Sequence, residues 1–499
     1  MQEYHGGQDN NIKIIFKEDF SVTTNIMGPS KIGLDIIKNN VLDIEHYPPS
    51  NFSPYIQNLN NFIFRNQKKN ANFMIGNGAS ELIDLVIRSI DGDSWRPSKS
   101  NVQYLEYERS AKINNKSKLE WNNETANLVC LINPNNPTGD YLNINEMKQY
   151  ITDNCMGCHI LVDESMQPWF GSNWREDSLV SQTEWIEELT KKNTFIYIIH
   201  SWTKFFSCTG LRYGSLICPT NEIYNKILSM KNPWSVNVLA LKYLDTCIND
   251  EQYMNETWSK TKELRKYHVD KIKDVFPNWI CHGKDFTSWI WIDTKDENIA
   301  ELAYNLCKYN GTPIRFGKFG YKMDTFIRIA VRDKEKFDDL LKCLLPLKNI
   351  ISRFSKPIHL DINDNVIIGF DWIDVNKIKC HEEYIEERHT KLLDYMKSIE
   401  LNKSLPAIII CSKTFVIIDG HHRFSIIKKL NYDKAPCVLL NYNHEDIITN
   451  YDNSIDKSKI TIAGLNNEYL PPKSSCHLVC DKYNNKYPIQ VLSPVVLLN

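Results

Sequence analysis

Between Gly76 and Pro219 the chain alternates two hydrophobic rhythms. ASELIDLVIRSI carries its apolar residues at helical spacing, whereas NLVCLIN, HILVDE, FIYIIHS and YGSLICP are short apolar runs ended by polar or turn residues, which predicts strands. Such alternation predicts an α/β fold, a largely parallel sheet covered by helices. Ligands of open sheets bind beyond the carboxyl ends of the strands, so the residues just after each run are where chemistry should gather.

Downstream the rhythm changes. A charged helical stretch over 251–275 leads to SWIWIDT, the helix-like NIAELAYNLCKY, the strand-like TFIRIAV and KEKFDDLLKCLLPLK, which together predict a smaller α+β domain completed by the N-terminal arm. The pattern lapses over 348–365 and restarts at VIIGFDWIDV. Beyond it come a helix over 382–399, strands AIIIC and FVIIDG, helix HHRFSIIKKL and strand APCVLLNY. The expected division is a first domain over 1–350, a linker over 351–365 and a C-terminal domain over 366–499.

Composition narrows the class. With 499 residues and 42% hydrophobic content the chain can bury more than one core, and its formal net charge of −2 supplies no global field for nucleic acid or anionic lipid. The longest apolar runs fall far short of the roughly 20 residues of a membrane helix. No targeting pattern opens the chain, so a cytosolic protein is expected. The 14 cysteines are scattered, and neither CMGC at Cys155 and Cys158 nor the Cys476 and Cys480 pair has the second pair a zinc site requires. No resident metal is expected.

Three strand ends carry marked polar groups: NPNNPTG over 133–139, VDES at Asp163, and SWTK at Lys204. A carboxylate, an asparagine, a lysine and a downstream arginine at the mouth of one sheet suit pyridoxal phosphate, an aromatic phosphorylated aldehyde held as an imine. Lys204 supplies the amine. Asp163 would keep the pyridine nitrogen protonated so that the ring accepts electrons, and Asn136 could donate to the ring hydroxyl oxygen. GNGASELI offers backbone donors at Gly78, Ala79 and Ser80 for the phosphate, joined by Ser201 and Arg212, while Tyr104 is the candidate ring cover.

Residues 1 to about 350 resemble fold-type I pyridoxal-phosphate enzymes of the histidinol-phosphate aminotransferase and threonine-phosphate decarboxylase group. The stretches that carry the resemblance are HGG, GNGASELI, NPNNPTG, VDES, SWTKFFSCTGLRYG and IRIAVR, in family order. It implies a large, mainly parallel sheet domain plus a small α+β domain, with Arg328 as the substrate-carboxylate arginine. It also implies a homodimer, in which Tyr47 reaches the neighbouring subunit's cofactor phosphate. HGG, EYERS and PWSVN are closer to the decarboxylase side, yet no motif fixes which α-carbon bond breaks. Arg332, four residues beyond Arg328, is a candidate for a second substrate anion, with His5 and Asn25 beside it.

The C-terminal region concentrates its signal in FVIIDGHHRFSIIKKL, where a strand ends at Asp419, Gly420 permits a turn, and His421, His422 and Arg423 open a helix suited to phosphate. HEEYIEERH adds His381, Glu382 and Glu383 at what reads as another helix start, and PPKSSCH adds Lys473, Ser474, Ser475 and His477. Residues 366 to about 490 resemble the ParB and sulfiredoxin superfamily, and within it the free serine kinases. That resemblance implies Glu382 as general base on a serine hydroxyl, Asp419 as a catalytic or magnesium-associated carboxylate, and His421, His422 and Arg423 as phosphate binders for ATP or ADP with magnesium. No P-loop motif is present.

Together the halves predict a bifunctional enzyme that phosphorylates L-serine or L-threonine and decarboxylates the phospho-amino acid to ethanolamine phosphate or 1-aminopropan-2-ol phosphate. One methyl group leaves no mark by which to choose between those substrates. The alternative is an aminotransferase of the histidinol-phosphate type carrying a regulatory nucleotide- or DNA-binding module. No nucleic-acid or membrane partner is expected.

Overall fold

Seven short strands build the first sheet: β1 (Phe73–Gly76), β2 (Ser94–Pro97), β3 (Ser117–Lys118), β4 (Leu128–Ile132), β5 (His159–Asp163), β6 (Phe195–Ser201) and β7 (Gly214–Ile217). Their order is β1-β7-β6-β5-β4-β2-β3. Strands β2 to β6 run parallel, while β7 lies antiparallel to both β1 and β6. YGSLICP is therefore the exception in the sheet. The short connection from Ser201 to Gly214 can fold the chain back beside β6, but a parallel neighbour would need a full crossover.

The computed structural model describes residues 16–65, 72–100, 102–349, 360–398, 403–449, 455–472 and 474–498. His5 and Lys473 lie outside the described residues.

Each central strand is apolar on both faces because each face meets a different core. Val129, Leu131, Ile160, Val162, Ile196 and Ile198 belong to one apolar layer, with Trp169, Trp174 and Trp202. Their neighbours Leu128, Cys130, Leu161, Tyr197 and Ile199 belong to the other, with Leu82, Ile83 and Val86 of helix Gly78–Ser89. This two-sided burial explains why the runs do not alternate with polar residues, and each fully buried Leu, Ile or Val contributes about 1.5–3 kcal/mol. A second, antiparallel sheet pairs Trp289–Asp293 with Ile280–His282 and with Phe326–Ala330, setting Arg328 opposite Trp291.

The chain divides into two units: Val22–Asp293 with Gly317–Lys334 form one, and Thr294–Phe316 with the chain from Glu335 onward belong to the other. In the second unit, strands Ile367–Asp374, Lys434–Leu440, Ile408–Cys411 and Ile417–Asp419 lie side by side in that order. Helix His421–Lys429 follows directly from the last of them. Helix Glu297–Tyr309 belongs to the same unit: Tyr309 packs on Phe370 at 5.0 Å, and the Leu497 amide donates to Asn310 Oδ1 at 3.2 Å.

The helix expected over 382–399 is shorter, Glu386–Ser398. Glu382 instead bridges to Leu470, and the Ile385 amide donates to Nε2 of His422 at 2.8 Å. Backbone bonds to other segments thus hold 381–385 extended, so His381, Glu382 and Glu383 precede the helix rather than start it.

Among the described residues no helix is long and apolar enough to cross a membrane. No group of three or more His, Cys, Asp or Glu among them is arranged to hold a metal ion.

Candidate active site

The ends of β4, β5 and β6 bring the first set of polar residues together. Asp163 closes β5 and is 3% exposed, and its carbonyl accepts the Asn133 amide at 3.0 Å across the strand ends. Its carboxylate accepts the Ser165 amide at 2.8 Å on Oδ1 and the Tyr107 hydroxyl at 2.7 Å on Oδ2, with the Ser165 side chain also beside it. Burial pushes its pKa up, and these donors act against that shift. Tyr104 stands edge-on to Tyr107 at 5.8 Å, its phenol pushed up by burial and by the carboxylates of Glu106 and Asp163.

Ser201 ends β6, donates its amide to Ser165 Oγ at 2.8 Å, and pairs with Gly214 of β7. Gly214 lies under the start of helix Gly78–Ser89, where a Cβ would fall 2.7 Å from the Ala79 nitrogen. That helix begins at Gly78 with φ +76°, and its N-cap Asn77 makes no side-chain capping bond. Arg212 stands beside it: Nη2 donates to Ser80 Oγ at 3.0 Å, and a Cβ at Gly78 would approach that nitrogen to 2.6 Å. Gly78, Ala79, Ser80, Ser201 and Arg212 are therefore brought together around a helix start whose positive end favours an anion.

Lys204 lies in the single turn Trp202–Phe205 just past β6. Asn25 fastens that turn. Its amide donates to the Lys204 carbonyl at 3.0 Å, and its Nδ2 donates to the Phe205 carbonyl and to Thr257 Oγ1, both at 2.7 Å. Arg332 is likewise engaged by backbone, donating to the carbonyls of Val22, Thr24 and Val331 and to Thr24 Oγ1 at 2.8–3.1 Å. Arg332 thus holds the segment that leads to Asn25. Arg328 is 6% exposed and reaches Asn136 at the end of β4, donating from Nη1 to Oδ1 at 2.6 Å. Tyr47 is 80% exposed and stands against Trp234 at 4.7 Å, with Val41, Leu42 and Ile44 also exposed.

Sequence reasoning missed two of the residues that touch Asp163, Tyr107 and Ser165. Ser165 lies in VDES and Tyr107 in EYERS, stretches the sequence marks out without attaching a role to either residue.

A second cluster forms in the other unit. Ser475 donates to Glu382 Oε2 at 3.0 Å, and with its proton on that bond its Oγ accepts from Nε2 of His381 at 3.1 Å. The His381 ring stands edge-on to His421 at 4.6 Å, and His477 bonds to the Tyr442 hydroxyl at 2.8 Å. Burial pushes His381 down to about 4 and His477 to about 3, and lowers His421 well below the usual range, so all three rings are neutral near pH 7. Residues from HE, DGHHR and PPKSSCH therefore meet. Arg423 pairs with Asp419 and donates to the Pro406 carbonyl and to Ser493 Oγ, while His422 accepts the Ile385 amide. Ser474 donates its amide to the Pro471 carbonyl at 3.1 Å.

The sequence pattern of Aminotransferase class I and II matches residues 44–344, more than half of the chain. The chain belongs to this aminotransferase family. A relative in Caldanaerobacter subterraneus subsp. tengcongensis, named for threonine-phosphate decarboxylase, is 25% identical over 339 residues, covering 64% of this chain and 87% of the relative. The histidinol-phosphate aminotransferase of Clostridium botulinum (strain Okra / Type B1) is 25% identical over 373 residues, covering 70% of this chain and 95% of its own. The solved histidinol-phosphate aminotransferase of Sinorhizobium meliloti, in complex with pyridoxal-5'-phosphate, superposes with a TM-score of 0.57 at 18% identity, over 67% of this chain and 91% of that one. The fold of this class I and II aminotransferase chain is thus the class I pyridoxal-phosphate transferase fold, with its large central sheet. The family match ends at residue 344.

Proposed function

We propose that the unit built on β1 to β7 is a pyridoxal-phosphate site that decarboxylates an O-phospho-amino acid, and that the C-terminal cluster phosphorylates the hydroxyl of free L-serine or L-threonine. The observation that carries the first half is the convergence of a buried carboxylate, a lysine turn and an arginine-flanked helix start at one end of one sheet.

The residues fit the cofactor. Bound there, it would supply an electron sink for a bond to the substrate α-carbon. Lys204 would provide the amine that holds it, and Arg212, Ser80, Ser201 and the amides of Gly78 and Ala79 its phosphate. The glycine at 78 leaves room that a methyl group would take from Arg212. Asp163 would hold a proton on the ring nitrogen, with Tyr104 covering the ring. Arg328, already bonded to Asn136, would orient a substrate carboxylate by the forked geometry of its guanidinium. The exposed apolar group around Tyr47 supports a homodimer in which a second copy covers it.

In the C-terminal unit, Glu382 would accept the proton of an amino-acid hydroxyl as that oxygen attacks the terminal phosphorus of a magnesium-bound nucleotide, whose bond from that phosphorus to the bridging oxygen breaks so that the nucleotide leaves one phosphate shorter. What supports this is the Ser475 hydroxyl, seated on Glu382 in the way a substrate hydroxyl would be. The neutral His381 and His421 beside it can each hydrogen-bond without adding charge.

Similarity to the Clostridium botulinum relative favours a second reading of the first unit, an aminotransferase of the histidinol-phosphate type; the C-terminal unit would then be a regulatory module that binds nucleotide or DNA. One incubation separates the two: purified protein with pyridoxal phosphate, L-serine, magnesium and ATP or ADP. Ethanolamine phosphate formed without any keto acid supports the proposal, whereas strict dependence on 2-oxoglutarate rejects it.

A further inference from the structure

The bond between Tyr107 and Asp163 joins two of the most deeply buried polar groups of the first unit. Tyr107, on helix Glu106–Ile113, is 0% exposed and belongs to the apolar layer that also holds Cys130, Leu161 and Ile199. Its hydroxyl donates to Oδ2 of Asp163 at 2.7 Å, while the Ser165 amide takes Oδ1 at 2.8 Å. Such surroundings keep the phenol protonated, because burial and the adjacent Asp163 charge raise its pKa well above the ordinary value. Tyr107 is thus a donor at any working pH. A carboxylate in a low-dielectric site tends toward its neutral form, and each donor aimed at it restores the charged form.

We propose that Tyr107 is a positioning residue: its hydroxyl fixes the orientation of the Asp163 carboxylate and sets how strongly that carboxylate competes for the proton on an aromatic ring nitrogen placed against it. This rests on reading the site as one for pyridoxal phosphate. Donation from Tyr107 makes Asp163 the weaker base, so the proton stays on the ring nitrogen. Without the hydroxyl the carboxylate becomes more basic and draws the proton toward itself, leaving the ring less electron-poor. The Ser165 amide cannot substitute, since it is occupied on the other oxygen.

The test uses the holoenzyme with coenzyme isotopically labelled at the ring nitrogen. In Tyr107→Phe, nitrogen NMR is expected to shift toward the unprotonated ring. The pH midpoint of the coenzyme's visible absorbance change should rise by about one pH unit, as expected for loss of one charge-assisted hydrogen bond. Fluorotyrosine at position 107, a stronger donor of nearly the same shape, should move both readings the opposite way, and it decides the matter should the phenylalanine variant fail to fold. If both readings in either folded variant match the wild type, Tyr107 only fills space and the proposal is overturned. A wild-type protein that shows no visible band when saturated with coenzyme overturns the cofactor reading instead.

Discussion

Gly78 shows how closely single residues define the site. Alanine there would have to hold φ +76° and place its methyl 2.6 Å from Arg212 Nη2, so the guanidinium must move. The left-handed backbone alone costs about 1–2 kcal/mol. Gly78→Ala is therefore expected to lower the unfolding temperature by about 2–4 °C and, by displacing Arg212, to weaken coenzyme binding about tenfold, read by equilibrium dialysis. The two proposed activities separate at single positions as well. Lys204→Ala should lose the coenzyme's visible band and all decarboxylation while still making O-phosphoserine from serine. Glu382→Ala should process supplied O-phosphoserine but make none, and loss of both products in either variant contradicts independent sites. Residue types were legible where chemistry demands them: Asp163 and Lys204 stand out by being polar where a strand stops, and Arg328 by being charged inside an apolar strand. Partners such as Tyr107 and Ser165 were not, since nothing in a tyrosine or a serine announces which carboxylate it will face. Arg332 and Asn25, read as anion candidates, each donate to main-chain carbonyls and to a threonine hydroxyl, contacts that charge and amide content alone do not announce.

Among the elements, the lysine turn depends on a side chain far away in sequence. Asn25 Nδ2 donates to the Phe205 carbonyl and to Thr257, beside a main-chain bond from the Asn25 amide to the Lys204 carbonyl. Asn25→Ala keeps the main-chain bond but removes both of these side-chain bonds, at a total cost of about 1–3 kcal/mol. It is expected to lower the thermal midpoint and, by loosening Lys204, to slow reformation of the visible band after coenzyme is added back, followed by stopped-flow absorbance. Gly214→Ala tests the packing below: its methyl would meet the Ala79 backbone, so the start of helix Gly78–Ser89 must shift. Strands β4 to β6 could be read directly from unbroken apolar runs. The strand SWRP could not, because Arg96 sits in it, and only the structure shows its buried guanidinium donating to the carbonyls of Trp121 and Asn154. The overlong helix over 382–399 failed for a related reason, since its first residues bond to distant backbone that no local rhythm reveals.

At the scale of the whole molecule, acid should act through imidazoles buried in neutral form. His381 is pushed down to about 4, His477 to about 3 and, in the first unit, His268 to about 3, in each case by burial. Below about pH 6.5 the unfolded chain binds protons that the folded chain refuses until pH 4 or lower. Stability from these groups is complete above that pH and falls on acidification, each imidazole steepening the loss by about 1.4 kcal/mol per pH unit. Denaturant unfolding followed from about pH 7 to about pH 5 should show this slope, reduced in His381→Phe. The division of the chain carries a different consequence. Helix Glu297–Tyr309 and the final strand Val495–Leu497 belong to one unit, joined through Asn310 and Leu497. A gene cut near codon 350 would strip that helix of its packing surface and leave the downstream fragment without its counterpart. Dissection of the polypeptide is thus better attempted by inactivating point changes than by scissors.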